Sequence, residues 1–489
     1  MREHFAIIVG SGFAGLGMAI ALRRAGIRDF VVLEKAAELG GTWRDNTYPG
    51  CACDVPSHVY SFSFAPNPRW SETYATQAEI RRYMEQVADQ FDVRRHIRFR
   101  TEAEAAELDV ASGRWTLTTA DGEKLRARIL VAGLGPLARF SLPDIPGLGS
   151  FRGKKFHSAA WDLCFEPEGK RIASIGTGAS AIQFVPELAK SAAALHVFQR
   201  TPAWVLPRLE RPYGEWEKQL FTSVPAARFL HRQAIFWRLE LSSLPFAREP
   251  RLMRVAERWA IRHMEKSIRD PELRKKLTPS YRMGCKRILM SNTYYPALGQ
   301  PNVEVVTSGV REITEDAIVD GDGVARPVDA IVFGTGFDVH DYLGKLRVTT
   351  SEGRDLGALW AEHGAQAHLG TTVAGFPNLF LLVGPNTGLG HNSIIFMIES
   401  QIALIMRCVK ELRAAPDCTL EVREQAQLAY NEKIQRRLSR SVWQSGCRSW
   451  YLDGHGRNTT LWPGFCAEFR LATARFERGD YRLSPARTR

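Results

Sequence analysis

The sequence predicts an α/β fold: two Rossmann-like dinucleotide-binding domains with a helical insertion. Three observations predict it. An apolar strand at residues 5–9 runs directly into Gly10-Ser-Gly12-Phe13-Ala14-Gly15, then into a helix to residue 24 and a second strand at 30–33 ending on Glu34. This is the βαβ context that gives a G-x-G-x-x-G match its meaning. The unit then returns: a strand at 171–175, the turn Gly176-Thr177-Gly178-Ala-Ser180-Ala181, a helix containing Gln183, and a strand at 195–198. Between residues 206 and 296 the rhythm stops. Helical patterns at 226–239 and 252–268, punctuated by Pro225, Pro245, Pro250 and Pro271, replace it.

Each glycine has a separate task. Gly10 makes the tight turn, Gly12 leaves room for a pyrophosphate, and Gly15 lets helix and sheet pack closely, so the helix N-terminus faces the phosphates. Glu34 should accept hydrogen bonds from a ribose. From Gly10 to Glu34 is 24 residues, and the same 24 residues from Gly176 reach Arg200. An acid at that position favours a free 2′-hydroxyl, whereas an arginine pairs with a 2′-phosphate. The first site therefore suits FAD and the second NADPH, with Arg200 and Thr201 as the phosphate clamp. A second echo supports duplication: residues 129–135 and 331–336 each end an apolar strand in a glycine turn, after strand-rich stretches at 114–128 and 302–328. The expected division is 1–145 with 381–489 for FAD, 150–205 with 297–380 for NADPH, and 206–296 for the insertion.

The chain has 489 residues, 45% hydrophobic and 24% charged, ordinary values for a globular protein of about three domains. It opens on a strand, with no pattern of a secretory signal. The apolar run at 394–409 contains Glu399 and Arg407, is too short to span a bilayer, and reads as a buried helix. A cytoplasmic location is expected. The eight cysteines form no C-x-x-C pair, so no metal site is expected and the thiols are read as reduced. Much of the net charge of +12 falls between Arg208 and Arg287. It reads as a solvated helix face in preference to peripheral membrane contact, and no nucleic-acid motif accompanies it. Trp237, Trp259 and Phe246 are read as core.

Between the two nucleotide signatures lies Phe151-Arg-Gly153-Lys-Lys-Phe-His157-Ser-Ala-Ala-Trp161-Asp162. Gly153 allows two backbones to approach, while His157 and Trp161 give a domain junction a polar tip and a large ring. The spacing F-x-G-x-x-x-H-x-x-x-W-D resembles the fingerprint of the type I Baeyer–Villiger monooxygenases. The loop from Gly40 through Thr42, Trp43, Tyr48-Pro49-Gly50 to Asp54 matches a second pattern of that family, [AG]-G-x-W-x-x-x-x-[FY]-P-G-x-x-x-D. The resemblance implies that Asp54 lies near the flavin and orients an arginine, and that Trp43 and Tyr60 help to line the FAD site. It also implies that Arg287 of the Lys286-Arg287 pair is catalytic, with Lys286 beside the NADPH 2′-phosphate. Ile288 stands where the family often has proline. Asn386 and residues 387–392 would lie near the isoalloxazine ring, Ser393 would cap the next helix, and Trp450 in the tail 443–451 is a candidate contact to substrate or nicotinamide.

The activity implied is insertion of one oxygen atom from O2 beside a ketone carbonyl, giving an ester or lactone through a C4a-peroxyflavin. Arg287 would stabilise the anionic oxygens, and Asp54 would hold Arg287. His157 and Trp161 would couple the domain movements. The competing reading is a flavin monooxygenase acting on nitrogen or sulfur; the missing C-x-x-C argues against a disulfide reductase, and a non-catalytic flavin sensor is a third class. Linear, cyclic and aromatic ketones are all compatible with the sequence.

Overall fold

The computed structural model describes residues 2–247, 250–444, 446–447 and 449–486. Ser445 and Arg448 of the tail lie outside the described residues. Two sheets organise the chain. The first has eight strands in the order Arg347–Thr350, Ala103–Asp109, Arg114–Thr119, Lys124–Ala132, Arg2–Val9, Phe30–Leu33, Ile97–Arg98, with Leu379–Leu381 also pairing to Lys124–Ala132. The second has five strands, all parallel: Val303–Val306, Ala194–Phe198, Arg171–Ile175, Ala330–Phe333 and Lys154–His157. Their central strands are buried on both faces, the condition for a parallel sheet covered by helices. Phe30–Leu33 and Ala330–Phe333 are buried at every position.

Both sheets deliver the chain to their glycine turns in the same register. Val9 lies opposite Leu33 and Ala132, and Ile175 lies opposite Phe198 and Phe333. The Gly133 N–H donates to the Val9 carbonyl at 2.9 Å, and the Gly334 N–H to that of Ile175 at 2.8 Å. The echo between residues 129–135 and 331–336 is thus a structural repeat.

The interrupted region holds the helices Glu215–Ser223, Pro225–Leu241, Leu244–Ala247, Met253–Ser267 and Pro271–Leu277. Ile235, Phe236, Phe246, Met253 and Ala260 pack into one cluster with Met397, Trp443 and Trp462, which fixes the insertion against the tail of the chain. Phe246 is core as expected. Trp237 and Trp259 are not: they are 53% and 47% exposed. Ile235 and Phe236 take the inward face of one helix, and Met253 and Ala260 that of the other, so each tryptophan points out.

The helix Ile394–Ala414 is buried along one side and packs on Phe13–Arg24. Ser393 precedes it as expected, but its hydroxyl makes no capping bond. Among the described residues no helix is long and apolar enough to cross a membrane. The loop 40–54 is irregular except for one helical turn, Thr42–Asp45. The expectation of eight reduced cysteines is corrected: Cys285 and Cys447, 162 residues apart with Cα atoms 6.3 Å from each other, form a disulfide. Only the fold brings them together, and spacing along the chain carries no sign of it.

Candidate active site

The first glycine turn separates structural from open positions. A Cβ on Gly15 would lie 1.8 Å from the Gly10 carbonyl oxygen, and one on Gly10, where φ is +97°, would lie 2.6 Å from that of Gly133. A Cβ on Gly12 would meet nothing nearer than the Gly41 Cα at 3.9 Å. Gly12 therefore faces free space at the N-terminus of Phe13–Arg24, where a phosphate fits. Phe13 is buried edge-on against Tyr60 at 5.5 Å, and Ala14 is buried beside it. Trp43 donates its indole N–H to the Tyr60 hydroxyl at 3.0 Å, so Thr42, Trp43 and Tyr60 belong to the wall next to this turn. Glu34 is buried at its strand end. Burial alone would raise its pKa, but bonds from the Ser11 hydroxyl and the Ala36 N–H, with the charge of Arg44, hold it below the usual range. Arg44, 2.8 Å from Glu34, has no spacing signature in the sequence.

The second turn repeats the geometry. A Cβ on Gly176, at φ +103°, would lie 2.5 Å from the Gly334 carbonyl oxygen, whereas one on Gly178 would stand 3.7 Å from it. Ala181 begins the helix Ala181–Ala189, with Ser180 at its N-cap. The Thr177 hydroxyl donates to the Thr201 carbonyl at 3.3 Å. Arg200 is exposed, and burial, with a smaller contribution from repulsion by the Arg200 cation, lowers the Lys286 pKa. A cluster of cations so placed suits a dianionic phosphate.

Arg287 and Asp54, 233 residues apart, form a charge-paired hydrogen bond. Burial would raise the Asp54 pKa, but the charge and hydrogen bond of Arg287, with smaller help from the Arg208 charge, together outweigh it and hold the carboxyl low; Asp54 in turn raises that of Arg287. Two neighbours escape sequence reasoning. Arg208 donates to the Cys53 carbonyl at 2.9 Å and adds to the positive field on Asp54. Tyr451 is buried and feels Arg287; burial pushes its hydroxyl up to about 12 despite that cation. Trp450, the expected contact, is 43% exposed and leans on Tyr451, with ring centroids 4.3 Å apart and the planes tilted by 48°.

The stretch from Phe151 to Asp162 builds the junction. Phe151 is buried against the second sheet, and a Cβ on Gly153 would lie 2.5 Å from the Asp329 carbonyl oxygen. His157 stacks on Phe140 at 4.6 Å and meets Phe337 edge-on. Trp161 touches Tyr48 of the loop and Phe184 of Ala181–Ala189. Asp162 pairs with Lys154 at 2.7 Å and accepts the Cys164 N–H, a surface turn. Two residues expected at the cofactors also make structural hydrogen bonds. The Gln183 side chain accepts from Tyr48 and donates to the Ala52 carbonyl, clasping the loop to the second half. The Asn386 amide donates to the Asn458 and Leu461 carbonyls, locking the tail.

Glu240, His391 and Cys466 have ligand-type atoms within 4.8 Å of one another. Both Glu240 oxygens already accept N–H bonds, from Asn392 and Cys466 on one and Ala467 on the other. Burial and the carboxylate drive the Cys466 thiol well up. The trio reads as a carboxylate seated on the N-terminus of Cys466–Arg475, not as a metal centre.

Two glycine cradles of opposite flanking charge, with an arginine–aspartate pair drawn from both halves, define a two-dinucleotide oxidoreductase of flavoprotein type. Residues 3–343 match the flavin-binding monooxygenase-like family. The chain is 49% identical to Baeyer–Villiger monooxygenases of Streptomyces coelicolor, over 99% of this chain and 94% of that protein, and of Pseudomonas aeruginosa, over 98% and 91%. An oxidized steroid monooxygenase bound to NADP superposes with a TM-score of 0.89 at 30% identity, covering 99% of this chain and all of the other. A cyclohexanone monooxygenase from Rhodococcus bound to NADP+ gives 0.88 at 28% identity, with the same coverage. The chain belongs to the flavin-binding monooxygenase-like family, among its Baeyer–Villiger monooxygenases.

Proposed function

We propose that this chain converts a ketone, O2, NADPH and a proton into an ester or lactone, water and NADP+, with FAD as its resident cofactor. The observation that carries this reading is the Arg287–Asp54 pair, because oxygen insertion beside a carbonyl passes through anionic oxygen and needs a fixed cation there. The residues at the first cradle fit FAD: Gly12 faces open space, and Glu34 stands at the strand end where a ribose hydroxyl is recognised. When bound, FAD accepts two electrons from NADPH and activates O2, chemistry no side chain supplies.

The side chains do the rest. Arg287 is charged at every working pH, so it supports an anionic oxygen without giving up a proton. Asp54 aims the guanidinium and offsets its charge. Arg208 braces the Asp54 loop through the Cys53 carbonyl, and the buried Tyr451 of the tail lies within the field of the pair. Arg200, Thr201 and Lys286 hold the 2′-phosphate of NADPH, while Thr177, Gly178 and Ser180 approach its pyrophosphate. Gln183 and Trp161 tie the two halves together. The FAD domain comprises 1–145 and 381–489, and the sheet pairing of Arg347–Thr350 and Leu379–Leu381 supports extending it to those strands. The NADPH domain comprises 150–205 with most of 297–380, and 206–296 is the insertion. The protein works in the cytoplasm on small-molecule ketones, without nucleic acid.

The test is product mass analysis after aerobic turnover of a panel of ketones, sulfides and amines. Esters or lactones one oxygen heavier than the ketone are expected. Sulfoxides or N-oxides without ester would move the activity to heteroatom oxygenation. Arg287→Ala should still let NADPH bleach the flavin, yet form ester at least about a hundredfold more slowly, the range seen on loss of one oxyanion-stabilising group; ester at the parent rate removes Arg287 from the chemistry.

A further inference from the structure

The insertion carries a surface that oxygen transfer does not use. Eleven of the nineteen large hydrophobic side chains that are exposed among the described residues lie between residues 206 and 296, less than a fifth of the chain. They are ordered. On Pro225–Leu241 the exposed Leu230, Ala234, Trp237 and Leu241 recur at spacings of four, three and four, one helix face. At Met253–Ser267 the exposed Leu252, Val255 and Trp259 recur at three and four. Trp216, 71% exposed, adds a third tryptophan on Glu215–Ser223. Each of the two longer helices keeps a different face for the core, Ile235 and Phe236 on one, Met253 and Ala260 on the other. The outward stripes are therefore additional to the packing, not a by-product of it.

Beside the apolar stripe of Met253–Ser267 runs a basic one, Arg251, Arg254 and Arg258, displaced by one residue and exposed throughout. None of the three forms an ion pair among the described residues. The segment 206–296 holds nineteen basic and nine acidic residues, so +10 of the chain's +12 resides in it. A basic face alone is explained by solvation. Three exposed tryptophans within it are not, because tryptophan is the side chain that belongs at a boundary between hydrocarbon and water, with arginines reaching past it to phosphate. A second copy of this chain is a poor occupant, since it would set two such cationic surfaces against each other.

We propose that the outer face of the insertion docks on an anionic phospholipid bilayer, with Trp237 and Trp259 at headgroup depth and Arg251, Arg254 and Arg258 on lipid phosphates. This is attachment along the surface, not a span. It replaces the solvated-face reading of the basic region.

The test is sedimentation of the flavin-loaded protein with vesicles of phosphatidylcholine, alone or mixed with phosphatidylglycerol. Binding should be at least about tenfold stronger to the anionic vesicles and should weaken with salt. Trp237→Ser with Trp259→Ser should reduce it about tenfold or more, and Arg251→Glu, Arg254→Glu and Arg258→Glu together by at least about a hundredfold. All five side chains are exposed and none belongs to a glycine turn or to the Arg287–Asp54 pair, so flavin content and NADPH oxidation in the variants should match the parent and report that the fold is intact. No binding to anionic vesicles overturns the proposal. So does binding that ignores the charge reversals. A dimer in light scattering that the tryptophan variants split, without vesicle binding, assigns the face to a second copy instead.

Discussion

His157 illustrates how a single side chain at the junction sets a pH limit. It is 2% exposed, stacked on Phe140, and accepts the Ala159 N–H through Nδ1. Burial lowers its pKa to about 4 from an ordinary 6.5. Below about pH 6.5 the unfolded chain takes up a proton that the folded chain refuses, so stability falls with falling pH until the folded pKa is reached. At pH 5 the loss relative to pH 8 is about 2 kcal/mol from this residue. Denaturant titrations at both pH values should show that loss in the parent and a smaller one in His157→Gln, which cannot charge; equal losses would mean that the ring is not held neutral. His157 is legible in the sequence because the fingerprint fixes its place. Arg44, Arg208 and Tyr451 are not, because they act through a loop carboxylate, a backbone carbonyl and a field, none of which leaves a spacing along the chain.

At the level of elements, the strand–turn–helix units are the most legible part of the molecule. A glycine turn between a buried strand and a helix is a local steric requirement, so the residue type reports the backbone directly. The two turns also separate folding from binding. Gly15→Ala drives a methyl to within 1.8 Å of the Gly10 carbonyl oxygen and should break the packing of Phe13–Arg24 on its sheet. Gly12→Ala meets no protein atom closer than 3.9 Å and should fold, but its methyl occupies the space of the pyrophosphate. The expected result is a Gly12→Ala protein with native circular dichroism and little bound flavin, against a Gly15→Ala protein that loses both. Native folding of Gly15→Ala would contradict the assignment of that glycine to helix–sheet packing. The insertion helices are equally legible as periodic patterns, yet their orientation is not. A helix with two apolar stripes gives no local sign of which stripe faces the core, and so Trp237 and Trp259 read as buried until Ile235, Phe236, Met253 and Ala260 are seen to fill that role.

For the whole molecule, the contacts that close the site are the ones farthest apart in sequence. Asp54 comes from the first half, Arg287 from the end of the insertion and Tyr451 from the tail. Gln183 and Trp161 hold the first contact between halves, and the Cys285–Cys447 bond holds the last. That bond ties the segment bearing Arg287 to the tail bearing Tyr451 across 162 residues. Closing a loop of this length removes unfolded-state freedom equivalent to at most about 5 kcal/mol, part of which is offset where the unfolded chain keeps structure. A reductant should therefore lower the denaturant midpoint of the parent protein. Cys447→Ser should unfold at that lower midpoint whether or not reductant is present. Because Cys285 lies two residues from Arg287, ester formation should fall with the midpoint while reduction of the flavin by NADPH, which depends on the glycine cradles, continues. A parent midpoint indifferent to reductant would show that the two sulfurs are unbonded in solution and that the tail is held over Arg287 by packing of Trp443 and Tyr451 alone.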